Sequence, residues 1–309
     1  MSRRPKRPVD HQWAARPTYR DLRLAQAADE VRAEVFGELA FSHSLLCQLS
    51  LPYKNLNSQR VFERRSGKVS IRLEAGSLMT PTGRWKDMGL PYGSKSRLLM
   101  LFLCSQSIKQ QSPTIEVSDS FTQFCRDIGS KRPNGRAMRA IKEQIDRLAC
   151  VSMKLASTEG HGQFQGFVFD GIRVASTIDD RQGYMFDNMF SFNPTFYESL
   201  KEHSVPLDLR CLRGLQHSSR ALDIYVWLTE RLRRIRQGRS QMVRWTSLRF
   251  QFGDPNQDLD SFKRAFKTAL KQTLILYYQA ANSVEVVRGG LRLSYAPPSV
   301  PMKNLLSSS

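Results

Sequence analysis

In SFKRAFKTALKQT, residues 261–273, the basic side chains stand at spacings that suit one kind of chemistry. Lys263, Lys267 and Lys271 recur every four residues with Arg264 beside the first, so a helix would stack them along one face. Phe262, Ala265, Phe266, Ala269, Leu270 and Thr273 fall on the opposite face as an apolar stripe. An ordinary solvated helix intersperses acids at i±4 and gains about 0.2–0.5 kcal/mol per pair, whereas stacked like charges repel by similar amounts. Such a stripe is relieved when phosphates neutralise it, each contact releasing counterions. A helix in the major groove brings its N-terminal turns nearest the base edges. Lys263, Arg264 and Lys267 are therefore placed to read bases, and Lys271 to meet the backbone.

A second segment, GRAMRAIKEQIDRLA, carries Arg136, Arg139 and Lys142 on a helical pattern. Glu143 and Asp146 stand where they can pair with Arg139, Lys142 or Arg147, so this helix is expected either to touch phosphates or to be structural. Lys131 and Arg132 precede it in a turn and are further candidates for contact with DNA. Arg288 and Arg292 flank Gly289-Gly290, a strong hairpin signal, where a minor-groove or phosphate contact is expected.

Catalytic chemistry has no comparable signature. No G-x-x-x-x-G-K-[ST] occurs; Ser66-Gly67-Lys68 has no glycine five residues before Gly67 and sits in a hairpin pattern. The histidines (His11, His43, His161, His203, His217) are isolated, and no His-x-His pair accompanies a tyrosine as a rolling-circle nickase would need. Asp179, Asp180 and Asp187 read as polar turn residues, not as a nuclease cluster. No catalytic residue, cofactor or metal is expected. The five cysteines (Cys47, Cys104, Cys125, Cys150, Cys211) have no metal-ligand spacing and read as small buried residues in a reducing compartment.

The chain that must position these residues has 309 amino acids, long enough for two domains. Lys and Arg exceed Asp and Glu by 47 to 28, a net charge of +19, which favours a polyanionic partner. No apolar run is long enough to span a bilayer and no secretory segment is evident, so a cytoplasmic protein without a membrane partner is expected. The start, MSRRPKRP, reads as a basic arm, and residues 21–40 place Leu24, Ala28, Val31, Val35 and Leu39 at helical spacings. RVFERRSGKVSIRLEAG reads as a hairpin about Ser66-Gly67.

From about residue 92 one order of elements occurs twice. SRLLMLFLCSQSIK is an apolar helix and TIEV a short strand; a helix with Ser120 as N-cap runs to Gly129, with Phe121, Phe124 and Ile128 on one face. The helix carrying Met138, Ile141, Ile145 and Leu148 follows, and then the strands CVSMKLA and FQGFVFD. The second copy runs SSRALDIYVWLTERLRRIR, QMVRW, TSLRFQFG, the basic helix of 261–273, and VEVVRGGLRLSY. Helix, short strand, helix, helix, hairpin is the order of a winged helix. The fold class is therefore α+β, with tandem winged-helix domains behind an N-terminal basic arm. The expected divisions are 1–40 for the arm and a short helix, 41–204 for the first winged helix with its preceding hairpin, 205–296 for the second, and 297–309 for a loose tail.

VFERRSGKVSIRLEAG, GLPYGSKSRLLMLFL, TIEVSDSFTQFCRDIG and GRAMRAIKEQIDRLA resemble the plasmid-encoded RepA replication initiators of Gram-negative bacteria. The resemblance runs from about Val61 to Tyr197, and beyond it only the layout fits. It implies a theta-type initiator that binds direct repeats (iterons) of double-stranded DNA at a plasmid origin, through two winged-helix domains. It further implies origin melting, recruitment of the host initiator DnaA and the replicative helicase, and self-association into dimers that repress the initiator's own promoter. A transcriptional repressor of the same architecture, without initiator activity, needs only the same DNA binding.

Overall fold

The structure is a computed structural model that describes residues 18–33, 38–80, 82–116, 121–127, 134–158, 164–175, 187–254 and 256–300. The basic arm, Ser120, Ile128, Gly129, Lys131, Arg132, Asp179, Asp180 and the chain beyond 300 lie outside the described residues.

Helix α1 (Tyr19–Ala33) leads to strand β1 (Leu39–His43) and the single turn α2 (Ser44–Cys47). Two hairpins follow, β2 (Val61–Ser66) with β3 (Val69–Glu74) and β4 (Ser77–Met79) with β5 (Trp85–Asp87). The first run then comprises α3 (Gly93–Gln110), β6 (Thr114–Glu116), α4 (Phe121–Asp127), α5 (Gly135–Cys150), β7 (Ser152–Ser157) and β8 (Phe164–Phe167). Strands β9 (Phe169–Ala175) and β10 (Asp187–Phe192), helix α6 (Pro194–Glu202), strand β11 (Ser204–Asp208) and helix α7 (Leu209–Leu215) connect it to the second run. That run comprises α8 (Ser219–Leu232), β12 (Ser240–Arg244), α9 (Trp245–Phe252), α10 (Leu259–Leu276), β13 (Val284–Val287) and β14 (Gly290–Ser294). The architecture is mixed α+β.

The two runs share an element order but differ in strand pairing. In the second, β12 joins its own hairpin in a sheet of order β12-β14-β13. In the first, β6 pairs with β10, and β7 carries β8 into a four-stranded sheet with the earlier hairpin, β2-β3-β7-β8. Alternation in a sequence marks a strand and its buried face but leaves its partner open, so the order was readable and the pairing was not.

Both hairpins turn one residue away from the positions that Ser66-Gly67 and Gly289-Gly290 suggest. Ser66 pairs with Val69, so the turn is Gly67-Lys68, and Gly67 takes φ +58°, which glycine adopts without a Cβ penalty. Val287 pairs with Gly290, so Arg288-Gly289 form the other turn and Gly290 is already in the strand. A Cβ on Gly290 would meet the Val243 backbone oxygen of β12, which is why the strand needs glycine there.

Burial falls into two apolar clusters. One gathers α8, α9, α10 and the last sheet, with Tyr225, Trp227, Phe252, Phe262, Phe266 and Leu291 at its centre; Ala27, Ala28 and Val31 of α1 pack into it. The other gathers α3, α5 and the β2-β3-β7 sheet around Leu103, Phe124, Leu148, Leu155 and Phe190. Residues 297–300, expected to be loose, are held: the Tyr277 hydroxyl donates to the Pro297 carbonyl at 2.6 Å, Ser299 and Tyr225 share a hydroxyl hydrogen bond at 2.8 Å, and Val300 is buried. Four cysteines are buried and Cys150 is half-buried, and burial pushes the Cys104 thiol up to about 12.

One buried histidine makes stability pH-dependent. His43 caps α2 through Nδ1, which accepts from the Leu45 N–H at 3.0 Å, so the proton sits on Nε2, 3.0 Å from Ser199 Oγ. Burial, and then the neighbouring His203, lower its pKa from 6.5 to about 4. The folded value lies below the unfolded one, so protonation favours unfolding. The contribution is complete above about pH 6.5 and is lost as pH falls toward 4, amounting to about 3 kcal/mol. Denaturant midpoints should therefore fall more steeply for the wild type than for His43→Asn, which can still accept at the cap, between about pH 7 and about pH 4.5. Parallel losses would contradict the assignment.

Candidate nucleic-acid interface

Helix α10 is built as its sequence pattern requires. Asp258 caps it by accepting from the Ser261 N–H at 2.8 Å, which holds that carboxyl below the usual carboxylate range. Phe262, Phe266, Ala269, Leu270 and Thr273 are buried, and the Thr273 hydroxyl donates to the Ala221 carbonyl of α8 at 3.1 Å. Ala265 is half-buried. This stripe fixes which side chains face outward, and the cations are among them.

They are not equivalent. Lys263 is half-buried and pairs with Asp260 at 3.0 Å, so its charge is partly answered. Arg264, Lys267 and Lys271 are exposed and form no ion pair among the described residues. Arg264 donates to Ser261 Oγ at 2.9 Å, and the Lys267 ammonium lies 5.7 Å from the centre of the Trp245 ring. In the hairpin behind α10, Arg288 is exposed at the turn, whereas Arg292 pairs with Glu285 across the strands at 2.7 Å.

In α5, Asn134 is the N-cap, accepting from the Ala137 N–H at 2.9 Å. The acids of this helix choose the inner cations: Lys142 pairs with Asp146 at 3.3 Å and Arg147 with Glu143 at 2.8 Å. Arg136 and Arg139, toward the N-terminus, are exposed and without an ion pair among the described residues. Lys131 and Arg132 are outside them.

Sequence reading missed the junction that holds the two runs together. Arg97 of α3, only 5% exposed, meets Asp223 of α8 in a two-pronged pair at 2.7 and 2.9 Å. Its remaining donors reach the carbonyls of Pro52, Gly93 and Leu51 at 3.0, 2.8 and 2.6 Å, so every N–H of the guanidinium is used. Arg97 and Arg220 both lie over the Tyr53 ring, at 4.7 and 4.9 Å from its centre. Arg64 of β2 donates to the Gln251 and Gly253 carbonyls at the end of α9, at 2.9 and 2.6 Å. The only signal in the sequence was the doubled Ser-Arg at 96–97 and 219–220, which marks matching helix starts but not their meeting on one tyrosine.

The family model for the plasmid-encoded RepA protein matches residues 90–247, just over half of the chain. The chain belongs to the plasmid-encoded RepA family. The match begins before α3 and ends inside α9, so it includes the Arg97–Asp223 junction and α5 but stops short of α10. Among solved structures, domains 2 and 3 of RctB align at 12% identity, covering 87% of this chain and 98% of that one, with a TM-score of 0.49. A second RctB structure of the same domains aligns at 12% identity over 78% of this chain and 83% of that one, with a TM-score of 0.43. No curated protein matches the chain.

Among the described residues, no cluster of His, Cys, Asp and Glu could hold a metal ion, and no helix is long and apolar enough to cross a membrane. The exposed groups of α10 and α5 can offer guanidinium and ammonium donors to phosphates and base edges.

Proposed function

We propose that this RepA-family chain initiates plasmid replication by binding direct repeats at the plasmid origin through two winged-helix domains, roughly 41–204 and 205–296. The observation that carries the reading is α10: Arg264, Lys267 and Lys271 exposed without an ion pair among the described residues, over an apolar stripe buried at every position but Ala265, with a hairpin behind. In this reading α10 is the major-groove helix. Arg264 and Lys267 are its principal readers, Lys263 exchanges Asp260 for DNA, and Lys271 meets the backbone. Arg288 at the hairpin turn reaches the adjacent groove or phosphates, and Arg292 has to leave Glu285 to do so. Helix α5 contributes Arg136 and Arg139, with Lys131 and Arg132 before them, while Lys142 stays tied to Asp146. The separate apolar clusters support two reading units, and the buried Arg97–Asp223 pair supports a defined angle between them.

The chemistry is binding and deformation, with no covalent step. Monomers on adjacent repeats bend the DNA at a cost of about 1–6 kcal/mol per site, offset by contacts from both units. The bend favours melting of a neighbouring A·T-rich segment, where host DnaA and the helicase are recruited. Self-association into a dimer would turn the same surface to repression of the chain's own promoter in the cytoplasm. The test is genetic: the gene with its flanking DNA should maintain a plasmid that lacks any other origin, and that DNA should carry several direct repeats. Promoter repression without plasmid maintenance would instead establish a repressor of the same architecture.

A further inference from the structure

A second group of cations lies away from α10, in a cleft of about 430 Å³ between α1, α4 and α7. Its charged lining is Arg23 and Glu30 of α1, Arg126 of α4, Arg210 and Arg213 of α7, and His217 just beyond. Two of the arginines are held by carboxylates: Arg210 by Asp208 at 2.7 Å and Arg213 by Glu38 at 3.3 Å. Arg23 and Arg126 form no ion pair among the described residues; Arg126 has only a 3.5 Å contact with the Gln123 side-chain oxygen. His217 is held below its ordinary pKa first by burial and then by the charges of Lys95, Arg20 and Arg23, so those cations converge on one spot. Glu30 is the opposing charge in the lining.

The cleft's position gives this charge a purpose. Helix α1 lies against α7 and α10, and α4 lies against α5. Asp21 of α1 feels the charge of Lys271 on α10. The permanent cations therefore lie on elements that adjoin both basic helices: Arg20 and Arg23 on α1, which packs on α10, and Arg126 on α4, which packs on α5, with the neutral His217 and the Lys95 ammonium between. Unanswered cations that bridge two basic helices repel one another unless an anion joins them.

We propose that this cleft is a phosphate-binding site that grips the DNA backbone where the duplex passes between α10 and α5, with Arg23 and Arg126 as the principal donors. The planar guanidinium offers parallel N–H groups that match two phosphate oxygens. The site reads no sequence; it fixes the path of the duplex across both units. The inference rests on the DNA-binding reading above and adds a contact that neither basic helix supplies.

The experiment uses the full chain with Arg23→Gln and Arg126→Gln together, titrated with a repeat-bearing duplex and a shuffled duplex over a range of salt. Loss of both contacts should flatten the slope of log K against log salt by about 1.8. Both duplexes should weaken together, so that the ratio between them is kept. Arg126→Gln alone, at an exposed position, should flatten the slope by about half as much, and it serves if the double variant folds poorly. A variant slope equal to that of the wild type overturns this inference alone. Absence of salt-dependent DNA binding by the wild type overturns it together with the functional reading. If duplex binding is unchanged while inorganic phosphate raises the melting temperature of the wild type but not of the variant, the cleft holds a free phosphate and the DNA contact is overturned.

Discussion

Replacing Arg264 by alanine should weaken binding to the repeat-bearing duplex by about 1–3 kcal/mol while barely changing binding to a shuffled duplex. The argument starts from packing. Phe262 and Phe266 are fully buried, so α10 cannot rotate to hide Arg264 without exposing an aromatic ring at a cost of several times RT, about 1.5–3 kcal/mol per side chain. Arg264 is thereby held outward, within the first turns of α10 that would enter the groove in the proposed binding mode, and its hydrogen-bond partner is the Ser261 hydroxyl. A fork of donors in that place can take both acceptors of a guanine edge. Lys267→Ala should behave similarly. Lys271→Ala, two turns farther along, should weaken both duplexes alike and flatten the salt slope by about 0.9, as loss of one phosphate contact does. Fluorescence anisotropy titrations of the three variants against the two duplexes separate these outcomes. An Arg264→Ala variant with an unchanged repeat-to-shuffled ratio would remove α10 from the reading role.

Asp223→Ala should produce the largest loss of stability, about 3–5 kcal/mol, because it leaves the buried Arg97 guanidinium without its counter-charge. That is a substantial part of the 5–15 kcal/mol that is typical of a folded domain. The three carbonyls that bond Arg97 remain and soften the loss but do not replace a carboxylate. Asp223→Asn keeps an acceptor in place and should cost less than Asp223→Ala. Replacing both partners with apolar residues, Arg97→Met with Asp223→Leu, should recover much of the stability, because no unpaired charge is then buried. Urea midpoints of the four proteins decide the matter. A loss below about 1 kcal/mol for Asp223→Ala would mean that the junction is not held by this pair. The pair joins α3 to α8, so the apolar replacement also asks whether the angle between the two units matters once stability is restored. DNA binding should remain weakened in that variant.

What could be read from the sequence follows from what each signal contains. The α10 stripe was legible because helical periodicity states directly which face is buried, and every stripe residue but Ala265 is buried. The hairpins were legible as glycine between alternating strands, but the turns shifted by one residue. Glycine at 290 serves close packing against β12 rather than the turn, and a sequence does not distinguish these uses. The pairing of β6 with β10 was not legible, because the two strands are separated by most of the first run. The partition of charge was legible only in part. Glu143 and Asp146 were visible as partners, yet the choice of Arg147 and Lys142 over Arg139 depends on side-chain geometry. The junction at Tyr53 and the cleft at His217 gather residues from distant segments, and no local pattern announces either one.

The central claim, that α10 reads a specific DNA sequence, is tested most directly by one ratio. The wild-type chain is titrated at physiological salt with a duplex carrying one origin repeat and with a shuffled duplex of equal length and composition. A specific reader should prefer the repeat by about 10³-fold or more, and that preference should fall about 10- to 100-fold in Arg264→Ala. Equal affinity of the wild type for the two duplexes would contradict the claim.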